Sequence, residues 1–264
     1  MVNYLMRMTA LILTVATTAV YAGQTCSEKT LATSEIQQAF RAANKLRQTL
    51  IDNDVQVALI ARIGQDLSKY GLRYSHVGFV LRDHPKGKWI VIHELNRCGT
   101  GESEIYDEGL ANFFLDDMIG FDSLVVIPDR EKQRRLVATF SSQTPGALHS
   151  SAYNMLAYPF STKYQNSNGW ILEVLSASLM EKSMPTRSNV QDWYKMNGYV
   201  PATIRLSALE RLGGRLFRAN VAFDDQPFGE RMSGQIEFVS VESIADFYTG
   251  KIDKNAKKMA LKTD

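Results

Sequence analysis

The sequence predicts an α+β fold built on an antiparallel sheet, and three observations lead there. Two apolar runs, Tyr74–Val80 and Trp89–Leu95, flank Arg82-Asp83-His84-Pro85-Lys86-Gly87-Lys88, whose Pro and Gly mark a hairpin turn between neighbouring strands. Segments of helical period lie on either side, one opening at Thr33 and one at Trp170. No internal repeat, low-complexity tract or linker divides the chain, so residues 23–264 are expected to form a single domain.

Taken in order, Thr33-Ser34-Glu35 opens an amphipathic helix with Ile36, Phe40, Ala43, Leu46 and Leu50 at helical spacing, stopped by Asp52-Asn53-Asp54. Val55–Ala61 reads as a buried strand, and 64–71 as a polar connection into the first histidine strand. His84 falls in the hairpin turn, as a solvated loop residue. After Cys98 come a Gly/Ser/Thr loop and a helical patch, Leu110–Met118, with Asp116-Asp117 at its end. Ser123–Ile127 is a further strand, stopped by Pro128, and Asp129 caps a helix to about Phe140. Residues 143–166 lack clear periodicity, and a long segment of that kind inside a compact domain is often functional. An apolar helix then reaches about Met180, and Thr186–Asn197 reads as a second capped helix. A short helix over Leu206–Leu212, strands at Leu216–Phe223 and Gln235–Val241, and a helix from Ser243 complete the reading. The lysines at 251, 254, 257, 258 and 262 read as a solvated tail.

The 264 residues are 45% hydrophobic and 22% charged, an ordinary globular composition. Thirty Lys and Arg against 28 Asp and Glu leave too small an excess for a polyanionic partner, so no nucleic-acid binding is expected. No sequence feature calls for a cofactor. At the N-terminus Arg7 precedes an uncharged, mostly apolar stretch, Met8–Val20, and Val20-Tyr21-Ala22 offers small residues for cleavage. Residues 1–22 therefore read as a secretory signal, which directs the mature chain to the periplasm or the medium. The apolar run falls short of the roughly 20 residues that span a bilayer, and an uncleaved anchor is the alternative. Gly23-Gln24-Thr25 before Cys26 is not a lipidation signal. Cys26 and Cys98 are the only cysteines, and in an oxidising compartment such a pair closes into a disulfide. The alternative is that Cys98 is a free catalytic thiol beside the histidines.

The candidate chemistry lies in His76, His93 and Ser167. Two adjacent strands each carrying an imidazole can supply a base and the group that orients it. Ser167 stands at the start of the apolar helix, where unpaired N–H groups and the positive dipole end favour a developing anion. Each residue also has a plain structural reading: a hydrogen-bonded core histidine, or a serine that caps a helix. His76 and His93 with Glu94, His149 or an aspartate could also form a metal site, but no HExxH or CxxC spacing supports it and no metal is expected.

Tyr74-Ser75-His76-Val77-Gly78-Phe79-Val80 followed by Ile90-Val91-Ile92-His93 resembles the two polar strands of NlpC-type papain-like cysteine hydrolases. Asn166-Ser167-Asn168-Gly169-Trp170-Ile171 resembles their nucleophile segment, with Ser167 in place of the cysteine. The order of histidine strands before nucleophile helix is similar to the circularly permuted branch that includes lecithin–retinol acyltransferase. Over nearly its full length the chain also resembles an exported bacterial family of unknown function. The first resemblance implies a permuted papain-like arrangement, an antiparallel sheet packed against the Ser167 helix. It implies Ser167 as nucleophile, His76 as base and His93 as orienting group. Asn166, Gln165 and Tyr164 are the candidates for binding or for steadying an oxyanion. The activity implied is hydrolysis or acyl transfer at an amide or ester, on a cell-wall peptide or a lipid acyl group. A serine cannot form the thiolate–imidazolium pair of a papain-like site. A catalytically silent binding module of the cell envelope is therefore the rival reading.

Overall fold

Residues 57–62 are all buried in strand β1 (Val57–Ile63), a pattern found when both faces of a sheet are covered. The two-residue period of a strand sends Val57, Leu59 and Ala61 to one core and Ala58 and Ile60 to another. The computed structural model describes residues 30–116, 118–181 and 184–263 and supplies both coverings. A six-stranded sheet has the order β4-β3-β2-β1-β5-β8. Its other strands are β2 (His76–His84), β3 (Gly87–Asn96), β4 (Ser103–Gly109), β5 (Gly120–Ile127) and β8 (Lys257–Leu261). Every neighbouring pair is antiparallel.

On one face lie α1 (Thr33–Asp52) and α2 (Leu110–Phe113). The other face carries α5 (Ser167–Ala177), with α3 (Arg130–Phe140), α6 (Arg187–Met196) and α9 (Val241–Phe247) around it. All residues of α5 are buried, as a helix that is apolar on most sides requires. Trp170 in its first turn donates its indole N–H to Pro145 O at 3.0 Å, which removes the cost of burying that group. A smaller unit stands beside the main sheet. Here β6 (Ala202–Arg205) pairs with β7 (Gln235–Phe238) over Ile204, Phe223 and Ile236. The remaining described α-helices are α4 (Thr144–Ala147), α7 (Ala208–Phe217) and α8 (Phe228–Ser233). Among the described residues no helix is long and apolar enough to cross a membrane.

Several expectations are corrected. The first helix buries Ala39, Ala42, Ala43, Leu46 and Leu50, whereas Ile36 and Phe40 are exposed. The alanine-lined stripe allows close approach to the sheet and outcompetes the bulkier one. The expected helix over 110–118 is helical only from Leu110 to Phe113, and the stretch before it is strand β4. Seven consecutive pairings with β3 override the weak strand character of its polar residues. The expected strand over 216–223 is instead the end of α7 and a turn, and the partner of β7 is the short β6. The lysine-rich end is not a free tail, since Lys257–Leu261 pairs with β5 as the sheet's outer strand. Exposed lysines on such a strand discourage further pairing. The signal segment and Cys26 lie outside the described residues.

Gly78 shows how tightly β2 and β3 meet. A Cβ there would lie 2.8 Å from Val91 Cγ1 and 3.2 Å from His93 Cβ. Gly78→Ala is expected to lower stability by about 2 kcal/mol through overpacking, measured by thermal or urea unfolding. It should also displace His93. An unchanged midpoint would show that β3 yields freely.

Candidate active site

His76, Ser167 and His93 come together although 91 and 17 residues separate His76 from its two partners. His76 opens β2, so its ring sits at the end of the sheet where α5 begins. Its Nδ1 lies 3.3 Å from Ser167 Oγ, and its Nε2 lies 2.8 Å from His93 Nδ1. His93 Nε2 in turn lies 3.4 Å from Glu108 Oε2 on β4, outside hydrogen-bond geometry. One set of tautomers satisfies both hydrogen bonds and leaves the His93 N–H toward Glu108. Ser167 O–H donates to His76 Nδ1, His76 Nε2–H donates to His93 Nδ1, and His93 Nε2–H faces the Glu108 carboxylate. The Phe113 ring packs against both imidazoles, at 6.0 and 5.6 Å between centroids.

Burial holds the His76 pKa well below 6.5, and the Arg62 guanidinium and His93 add to the effect. His76 is therefore a neutral base at neutral pH. Arg62, opposite His76 in the β1–β2 ladder, is fixed by Phe113 O at 2.5 Å and Asp116 Oδ2 at 2.6 Å. Asp116, read from sequence as a helix end, is thus half of an ion pair.

Ser167 is the first residue of α5, and the cap is Asn166, whose Oδ1 accepts from Gly169 N at 2.7 Å. A Cβ on residue 169 would stand 2.8 Å from that oxygen, so the cap needs glycine there. The preceding segment is clamped by a buried polar cluster. Glu173 accepts from Gln165 Nε2 at 2.6 Å, from Gln191 Nε2 at 2.9 Å and from Arg187 Nε at 2.9 Å. Gln165 Oε1 accepts from Ser150 N. These bonds change the expectation for the oxyanion. The Gln165 amide is engaged, and Asn166 Nδ2 points to Met155 O and Val239 O. The Tyr164 ring lies beneath Lys163 and beside Asp224 and does not line the cleft that holds Ser167.

The group that does reach Ser167 is Tyr153, from the irregular stretch after α4. Tyr153 shares the cleft wall with Ser167, whose hydroxyl and backbone N–H lie close enough to the phenol to favour its ionised form slightly. Burial, reinforced by Glu94, raises the Tyr153 pKa, so the phenol keeps its proton at neutral pH. Its only sequence signal was membership of the aromatic-rich, aperiodic segment. Glu108 had no signal either, because its role depends on the β3–β4 register.

Ser167, His76, Tyr153 and Glu94 line one cleft of about 830 Å³, with Cys98 also on its wall. Glu94 is fully buried and neither carboxylate oxygen has a hydrogen bond of ordinary geometry. Burial pushes its pKa up to about 8, which the nearby Ser103 hydroxyl offsets only in part. His93 and Glu94, adjacent in β3, face opposite sides of the sheet. Among the described residues no group of three or more His, Cys, Asp or Glu is placed to hold a metal ion. His149 instead meets Ser103 Oγ at 3.3 Å, and His84 is half-buried near Asp107.

An antiparallel sheet with helices on both faces, carrying a serine–histidine–histidine cluster in a cleft, defines an α+β protein with a candidate nucleophilic site. The chain belongs to a family described as an uncharacterized protein conserved in bacteria (DUF2145), whose profile matches residues 49–248. No curated protein matches the chain, and no solved structure does.

Proposed function

We propose that the protein is an exported hydrolase or acyltransferase that attacks an amide or ester carbonyl with Ser167. The observation that carries this reading is the unbroken series of contacts from Ser167 Oγ through His76 to His93. The order of histidine strands and nucleophile helix, with α5 packed on the sheet, supports a permuted papain-like arrangement.

In the proposed reaction, Ser167 Oγ forms a bond to the carbonyl carbon as its proton passes to His76 Nδ1. His93 accepts the Nε2–H of the resulting imidazolium and holds the ring in place, with Glu108 behind it. The carbonyl oxygen becomes an oxyanion, which the Ser167 N–H at the helix end and the Tyr153 O–H are placed to stabilise. His76 then gives its proton to the leaving amine or alcohol. The acyl group on Ser167 passes to water or to an acceptor alcohol or amine. Cell-wall peptides and lipid acyl groups are the substrate classes that fit an exported chain of this kind.

The low pKa of His76 gives this mechanism a pH signature. The base form persists through neutrality, so the rate of labelling by a fluorophosphonate should stay flat from pH 8 down to about 6.5 and fall only below that. A half-fall at or above neutral pH would argue against His76 as the base. No labelling at any pH, with a Ser167→Ala variant unchanged in function, would favour a binding module instead.

A further inference from the structure

The helix α7 reverses the usual arrangement of a surface helix. Leu209, Leu212 and Leu216 share one face at i, i+3 and i+7 spacing and are each more than half exposed, as is Phe217. The inward side is marked by Gly214, where a Cβ would stand 3.3 Å from Val221 Cγ1 and 3.8 Å from the Phe223 ring. The apolar stripe therefore points away from the protein. The neighbouring α8 adds exposed Phe228 and Met232, and its C-cap, Gly234, abuts Leu206 O and the Arg211 guanidinium.

The charges around this stripe define what could cover it. Arg205, Arg215 and Arg218 are exposed and take part in no ion pair among the described residues, while Glu210 is paired with Lys69 at 2.9 Å. A second copy of the chain would bring one arginine-rich rim against another. A surface of phosphate headgroups over acyl chains complements both the leucines and the arginines. The position also has a use, since Leu206, just before α7, and Arg218, just after it, line the cleft that holds Ser167.

We propose that α7, with α8, is a docking face for an anionic lipid bilayer, which turns the cleft toward molecules held at the membrane surface. This proposal does not depend on Ser167 being a nucleophile. The mature full chain should co-sediment with vesicles rich in phosphatidylglycerol and bind at least about tenfold less to pure phosphatidylcholine. Leu212→Glu with Leu216→Glu should abolish binding, and Arg205→Gln with Arg215→Gln should weaken it and remove its salt dependence. These positions are exposed, so unchanged circular dichroism and melting temperatures will show that the variants fold. Equal binding by the leucine variant, or no binding by the wild type, would overturn the proposal. So would a dimer seen by light scattering that the leucine substitutions dissociate, since the face would then be a self-interface.

Discussion

Ser167→Ala is expected to lose fluorophosphonate labelling completely and to lower turnover of any amide or ester substrate by about 10³-fold or more. The effect should be this large because the other groups in the cleft act on a bond that only Ser167 Oγ forms. Without Ser167 Oγ, His76 loses the hydroxyl it deprotonates, and the Tyr153 and Ser167 donors await an oxyanion that does not arise without attack. The substitution removes one oxygen at a site 9% exposed, so the fold should survive, with a melting temperature close to that of the wild type. Intact-mass measurement after treatment with the probe reads the result directly. A mass shift of equal size in the alanine variant would place the reactive group elsewhere.

Glu94→Gln is expected to stabilise the protein at neutral pH, and to do so in a pH-dependent way. The folded state holds the Glu94 proton up to about pH 8, against an ordinary value of 4.5. As pH rises above 4.5 the unfolded chain releases that proton and the folded chain keeps it, so stability falls across the window from 4.5 to 8 and levels off above it. By pH 7 the loss amounts to about 3 kcal/mol, a figure good to the order of magnitude. Glutamine cannot ionise, so the variant should lack this slope, although its amide inherits the unpartnered site. Urea unfolding of both proteins at pH 5 and pH 7.5 tests this. The gap between them should open in favour of glutamine at the higher pH, and parallel curves would mean that Glu94 ionises freely in the fold.

Much of the main sheet was legible because its strands carry long apolar runs that periodicity detects. Val55–Ala61, the histidine strands and Ser123–Ile127 all lie within or beside observed strands. The three pieces missed, β4, β6 and β8, are short or polar and owe their conformation to pairing rather than to their own side chains. The candidate site divides the same way. His76, His93 and Ser167 could be picked out because their types and local settings suggest chemistry. Tyr153 and Glu108 could not, since one depends on the path of an irregular segment and the other on strand register. Gln165 and Asn166 looked available as donors, yet both hold the nucleophile loop in place. A lone sequence does not distinguish an amide that awaits a ligand from one already bonded to a carbonyl.

The double covering of the sheet has a consequence for motion. Both imidazoles are anchored in strands whose amides are shielded from water on two sides, and Ser167 begins a helix with no exposed residue. Local opening therefore concentrates in the outlying β6–β7 unit and α7, which bury far less apolar surface. Amide protons should exchange slowly around the serine and histidines and quickly along the rim, so that the rim can move while the serine and imidazoles keep their spacing.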